Sequence, residues 1–421
     1  MYQSSGGTDT NWGEHEARRS LLGRPTIAEG ATCGVASDFW NRYDEDIQRA
    51  ADLGSNCLRF TFEWSRLQPG GPCTPLAADA VARYHQILDS LEARGLEPFV
   101  TLHQFVHPLW FEKLGSFLTE ESISLFADYA TKAFATFGRR VRFWTTFNEP
   151  GVASSAGFIY GVHPPGKLGR LPSHGLHMLH MLRAHSQAYD AIKAMPGGDR
   201  ASVGLVHNWF TFEPKRSGCC SPFYMRWVAA LGNRLWGNHT VLTYLQTGVY
   251  DYNPLRCVRI APRQFLPAHA PCVACKAHDS MCTPAYHVAL WAHPRVDDAP
   301  PHRFAFGTFY KEQSLPGCDH FGLNYYSRGT FDWKLMPAKN KGEVQTDMPY
   351  ALWADGLLAA IDSVSSALGV PIYVTETGVA DAGDAVRPVM IQTYMEKVEE
   401  AVRLGYDLRG VMYWTLVDNF E

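Results

Sequence analysis

Two glutamates stand where apolar runs end, Glu149 after RFWTTFN and Glu376 after PIYVT. They are too far apart in the chain to be local ion-pair partners. A carboxylic acid that gives up a proton, paired with a carboxylate that attacks or activates water, is what cleavage of an acetal demands. Taken singly, a glutamate at such a position is as readily a solvated loop charge or the partner of an arginine. The elements that carry the two residues decide whether they can meet.

Short β-rich runs alternate with longer amphipathic segments, which is the pattern of βα units around a parallel sheet. The predicted strands are 57–62, 98–103, 141–147, 203–209, 320–325, 372–375 and 411–416; the predicted helices are 44–53, 77–94, 120–137, 175–195, 352–368 and 389–404. No G-x-G-x-x-G follows any of these strands, so the α/β class is read as a (β/α)8 TIM barrel and not as a doubly wound sheet. In such a barrel the site lies at the C-terminal ends of the strands, where both glutamates fall. Seven strands leave one to be found. It would come first, since Met1 leads directly into polar, Gly-rich sequence, and no closing helix follows Glu421, so the chain reads as a barrel lacking its first strand and its closing helix. Residues 1–421 form one expected domain, with a Pro-, His- and Cys-rich insertion at about 254–316.

The composition, 46% hydrophobic and 19% charged, is that of a globular protein, and 13% aromatic suits either a stacking cleft or a large core. A net charge of -4 and a pI near 6.5 give no field to hold nucleic acid or anionic lipid. The sequence offers no run of about 18 apolar residues for a membrane span. Its start, MYQSSGGTDTNW, lacks the basic and apolar regions of a secretory signal, which favours the cytoplasm. Ten cysteines are too sparse for a disulfide scaffold and suit a reduced compartment. Cys272 and Cys275, followed by His278, Cys282 and His287, could bind zinc by residue type, but their spacing matches no common zinc module. Loop cysteines are the preferred reading, so no metal and no cofactor is assigned.

Against this background the sequence resembles the family 1 glycoside hydrolases over almost its whole length. TFNEP, Thr146 to Pro150, is similar to that family's acid/base motif, and VTETG, Val374 to Gly378, resembles its nucleophile motif. Further matches follow in the family's order: Arg59 in RFTFEW, Asn324 and Tyr326 in GLNYYS, and Trp414 with Glu421 in YWTLVDNFE. Tyr2 and Gln3 with Gly6 and Gly7 resemble the loop after the family's first strand, which carries a sugar-binding glutamine. The resemblance implies a retaining β-glycosidase acting on glucose-like or galactose-like residues, with Glu149 as acid/base and Glu376 as nucleophile. Arg59 and Tyr326 would support the nucleophile, and Asn148 would donate to the sugar 2-OH. Asn324, Gln3, Gln104 and Glu421 would bind further hydroxyls, with Trp414 as the platform beneath the ring. Glu421 would repel a 6-phosphosugar.

Two departures accompany these matches. Gln104 stands where the family usually has His, which retunes sugar binding because an amide still donates and accepts. Thr377 stands where the family usually has Asn. The implied partner is a small-molecule glycoside, with hydrolysis expected. Transglycosylation by the same site and a non-catalytic carbohydrate-binding relative are the alternatives.

Overall fold

The structure, a computed structural model, describes residues 9–19, 23–215, 223–254, 302–304 and 307–419. Seven parallel strands make up the central sheet: β1 Cys57–Thr61, β2 Glu97–His103, β3 Phe143–Asn148, β4 Ser202–Asn208, β5 His320–Asn324, β6 Ile372–Thr377 and β7 Leu408–Tyr413. They pair in chain order, each parallel to the next. All seven predicted strands are present, in a TIM-barrel architecture. The last one lies earlier than expected, at 408–413 in place of 411–416. The apolar run YWTLV does not end with the strand, because beyond Tyr413 the chain leaves the sheet with Trp414 bonded back to the Thr377 carbonyl.

Helices cover the sheet from outside. Along Glu121–Phe137 the buried residues Ile123, Phe126, Ala127, Ala130, Phe134 and Phe137 recur at three and four, the stripe one helix face presents to a core. The helices Phe39–Asp52, Ala78–Ala93, Leu171–Lys193, Asp355–Leu368 and Arg387–Arg403 complete the predicted set. Residues 249–252, 302–304 and 307–311 add a small antiparallel sheet that periodicity did not suggest. The cysteine and histidine patch at 272–287 lies outside the described residues. Among the described residues, no helix is long and apolar enough to cross a membrane.

Inside the sheet, near the strand starts, four rings meet: Phe99 of β2, Phe143 of β3, His320 of β5 and Tyr373 of β6. Their centroids lie 5.2 to 6.1 Å apart. Strands β2 and β6 are not neighbours, so Phe99 and Tyr373 can touch only across the interior, and the sheet is rolled. Among the described residues, β1 and β7 do not pair; a cavity of about 670 Å³ runs between them, lined by Leu58, Phe60, Val411 and Trp414.

Histidines are buried throughout this frame. His174 bonds Ser155, His185 bonds Thr146 and the Gly317 carbonyl, His207 bonds Asn238, and His320 bonds Ser202. Burial, which disfavours the charged ring, pushes His174 and His320 down to about 3 and His185 and His207 down to about 4.

Candidate active site

The strand register itself brings the polar residues together. Asn208 on β4 pairs with Asn324 on β5, and Asn324 pairs with Glu376 on β6. The three therefore stand side by side at the C-terminal rim. Glu149 follows β3 after a register shift between Thr145 and Asn148; its amide bonds the Val206 carbonyl, and its backbone is left-handed at φ 51. This kink precedes the helix Pro150–Phe158, whose first position takes Pro150 because no backbone donor is needed there. Gly151 follows because a Cβ there would lie 2.2 Å from the Trp236 carbonyl oxygen. Gly378 is required by the same kind of contact, with the Trp414 carbonyl. Pro150 and Gly378 of the two motifs, with Gly151 beside the first, thus shape the backbone around the carboxylates.

Arg59, reaching across the barrel from β1, ties the site into one network. Its Nη1 donates to Glu376 Oε1 at 2.6 Å, its Nη2 to Asn148 Oδ1 at 2.7 Å, and its Nε to Thr101 Oγ1 at 3.2 Å. The Tyr326 hydroxyl donates to the other oxygen of Glu376 at 2.7 Å. Both oxygens of Glu376 are thereby held, one by a buried ion pair and one by a phenol. Asn324 Nδ2 donates to Glu149 Oε1 at 2.6 Å and to Asn148 Oδ1 at 3.1 Å. A continuous path of hydrogen bonds runs from Glu149 to Glu376 through Asn324, Asn148 and Arg59.

The two glutamates differ in what surrounds them. Glu149 is buried, and loss of hydration, followed by the nearby charge of Glu376, pushes its carboxyl up to about 8. The amides of Asn324 and Asn208 and the Arg59 charge act in the opposite sense without overcoming it. Such a carboxyl keeps its proton near neutral pH, as a general acid must. Glu376 has in contrast a guanidinium and a phenol as partners. Asn148 Nδ2 is buried and has no hydrogen-bond partner, so it is a donor left over for something that enters the site.

Gln104 is buried at the end of β2, where its Oε1 accepts from Thr61 Oγ1 at 3.0 Å. Trp414 follows β7 at the mouth of the cavity between β1 and β7, half-buried. Gln3 and Glu421 lie outside the described residues. Thr377 is buried with an unbonded hydroxyl, and nothing in the structure explains its presence there. The residue that sequence reasoning missed is Asn208, whose Nδ2 donates to Glu149 Oε1 at 3.0 Å. Its signal was available: like Asn148 and Asn324, it is the asparagine that closes an apolar strand. Thr101 and Thr375, which bond Arg59 and Asn324, gave no such signal. Among the described residues, no group of three or more metal-ligating side chains could hold a metal ion.

Comparison with known proteins identifies the family and the fold. The family model described as Glycosyl hydrolase family 1 matches residues 2–421. The chain is 25% identical to raucaffricine-O-beta-D-glucosidase of Rauvolfia serpentina, covering 94% of this chain and 78% of that one. It is 26% identical to a 1,4-beta-D-glucan glucohydrolase of Thermotoga neapolitana, covering 94% and 85%. Among solved structures, a beta-glycosidase from Pyrococcus horikoshii superposes with a TM-score of 0.74 at 27% identity, covering 99% of this chain and 82% of that one.

Proposed function

The chain belongs to glycosyl hydrolase family 1 and is a β-glycosidase, and from that premise we propose that it hydrolyses terminal β-linked glucose-like or galactose-like residues with retention of configuration. The observation that carries this reading is the unequal treatment of two carboxyl groups on one hydrogen-bond network. Glu149 keeps its proton, while Glu376 is held between Arg59 and Tyr326.

In the first step Glu376 attacks the anomeric carbon while Glu149 protonates the departing oxygen, giving a glycosyl-enzyme ester. Departure of the aglycone leaves Glu149 ionised, and it then takes a proton from the water that attacks the ester. Asn148 Nδ2 meets the sugar 2-OH, a contact that tightens as positive charge develops on the ring. Gln104, Asn324, Trp414, Gln3 and Glu421 complete sugar binding in this reading, and no cofactor takes part.

The test separates the two glutamates. Glu376→Ala loses turnover of every substrate by about 10⁴-fold or more, whereas Glu149→Ala still releases dinitrophenol in a burst and then stalls, since no base activates water. Azide restarts the Glu149→Ala variant and yields the β-glycosyl azide; with Glu376→Ala it yields the α-product, because the anion occupies the nucleophile's side. The opposite pattern would exchange the two roles, and an inert wild type would favour a carbohydrate-binding protein.

A further inference from the structure

Both amide donors that reach Glu149 end on the same oxygen. Asn324 Nδ2 lies 2.6 Å and Asn208 Nδ2 3.0 Å from Oε1. An oxygen that accepts two N–H bonds has its lone pairs engaged, so a proton on this carboxyl belongs on the other oxygen. The two donors are not equivalent. Asn324 is fixed at both ends, its Oδ1 accepting from Thr375 Oγ1 at 2.7 Å and its Nδ2 shared with Asn148. The Asn208 side chain makes its single hydrogen bond among the described residues to Glu149, and its Oδ1 is buried without a partner. What anchors Asn208 is its backbone, whose carbonyl accepts from the Trp236 indole at 3.0 Å. Replacing the Asn208 side chain therefore changes the donors on Glu149 while leaving the Arg59, Asn148 and Glu376 links in place.

We propose that Asn208 is a positioning residue that reserves Oε2 of Glu149 for the transferable proton and sets the pH at which that proton is lost. The proposal rests on the acid/base reading of Glu149. The charged and titratable groups around Glu149 are few. Glu376 approaches from β6 and Arg59 from β1, Tyr326 is turned to Glu376, and the His207 ring next along β4 is turned to Asn238. Asn208 and Asn324 are the neutral donors among them. An N–H donor favours the carboxylate over the acid, so Asn208 works against burial and the Glu376 charge and keeps the group able to ionise for the second step. Both halves of the cycle need this balance, because Glu149 must give a proton and then take one.

The experiment is the pH dependence of kcat/KM for Asn208→Leu, with Asn208→Ser as a smaller polar variant should the first fail to fold. With a phenyl β-glucoside, whose leaving group needs protonation, the alkaline limb should move upward by about one pH unit. With a dinitrophenyl glycoside, which needs no acid, kcat/KM at neutral pH should stay within about twofold of wild type. An unmoved alkaline limb, or an equal fall for both substrates, would mean that Asn208 merely fills space and would overturn the proposal. Glu149→Gln separates the two levels of inference. If the alkaline limb persists in that variant, the acid/base reading fails; if it vanishes there yet stays fixed in the Asn208 variants, the present proposal alone fails.

Discussion

The starts and the ends of the same strands have opposite characters. At the starts, Phe99, Phe143, His320 and Tyr373 pack ring on ring with no ionised group among them. At the ends, Arg59, Asn148, Asn208, Asn324 and the two glutamates are joined by hydrogen bonds and leave one donor and one acceptor unbonded. The first arrangement is favourable in itself through apolar burial and ring contact. The second holds two carboxyl groups close together away from water, a cost that only function explains. A rigid floor thus tolerates a strained ceiling on the same seven strands.

The sharpest way to break this contrast is to empty the ceiling of its cation. Arg59→Met leaves Glu376 with the Tyr326 hydroxyl alone and Asn148 Oδ1 with Asn324 alone, and stability should fall by about 3–5 kcal/mol because a buried charge loses its partner. Turnover should fall by about 100-fold or more. Denaturant titration and steady-state kinetics on one preparation read both effects, and loss of only one would show that the two ends are less entangled than the network suggests.

Phe99→Ala attacks the floor. Unfolding free energy should drop by about 3–5 kcal/mol as a cavity opens among the rings, while kcat/KM and its pH profile below the melting range stay unchanged. A moved alkaline limb in this variant would mean that the floor reports to Glu149 and would undo the separation.

The smallest effect concerns Glu149 alone. Its carboxyl is raised in the fold from an ordinary value of 4.5 to about 8, so the protonated group contributes stability fully below 4.5 and loses that contribution as pH rises toward 8. Glu149→Gln, which cannot ionise, should therefore melt a few degrees above wild type at pH 8.5 and close to it at pH 4.5 (roughly, by the usual conversion of free energy to melting temperature). Calorimetry at the two pH values checks the difference, and an equal change at both would deny the buried charge.

Much of this was legible in the chain because the barrel rule ties chemistry to strand ends. Strands buried on both faces read as apolar runs, and Glu149 and Glu376 were found by asking what closes each run, whereas the resemblance supplied Asn324 and the role of Asn148. Arg59 is a different case. It sits within a strand, and only the resemblance marked it as part of the site. Asn208 obeys the strand-end rule and was still passed over, since the predicted strand ran on to the apolar Trp209 and left Asn208 inside it, whereas the strand ends at Asn208. The end of β7 was misplaced because Trp414, Leu416 and Val417 are apolar for the sake of the cavity they line, which periodicity cannot tell from a sheet. The small antiparallel sheet was invisible for a related reason, as its partners 249–252 and 307–311 are far apart in sequence and neither run is long.

The buried histidines have a consequence for the proton balance of unfolding. His174, His185, His207 and His320 stay neutral in the fold down to about pH 3 to 4, whereas in the unfolded chain each takes up a proton near 6.5. Their contribution to stability is whole above 6.5 and is lost as pH falls from there toward the folded values. Each ring adds a slope of about 1.4 kcal/mol per pH unit. Because all four rings act in the same direction, unfolding in mild acid should draw several protons from solution at once, and the midpoint in denaturant should fall steeply with pH. The acid limit of this enzyme's stability is then set by hydration of its imidazoles on opening, a different set of groups from the two carboxyls proposed to do the chemistry.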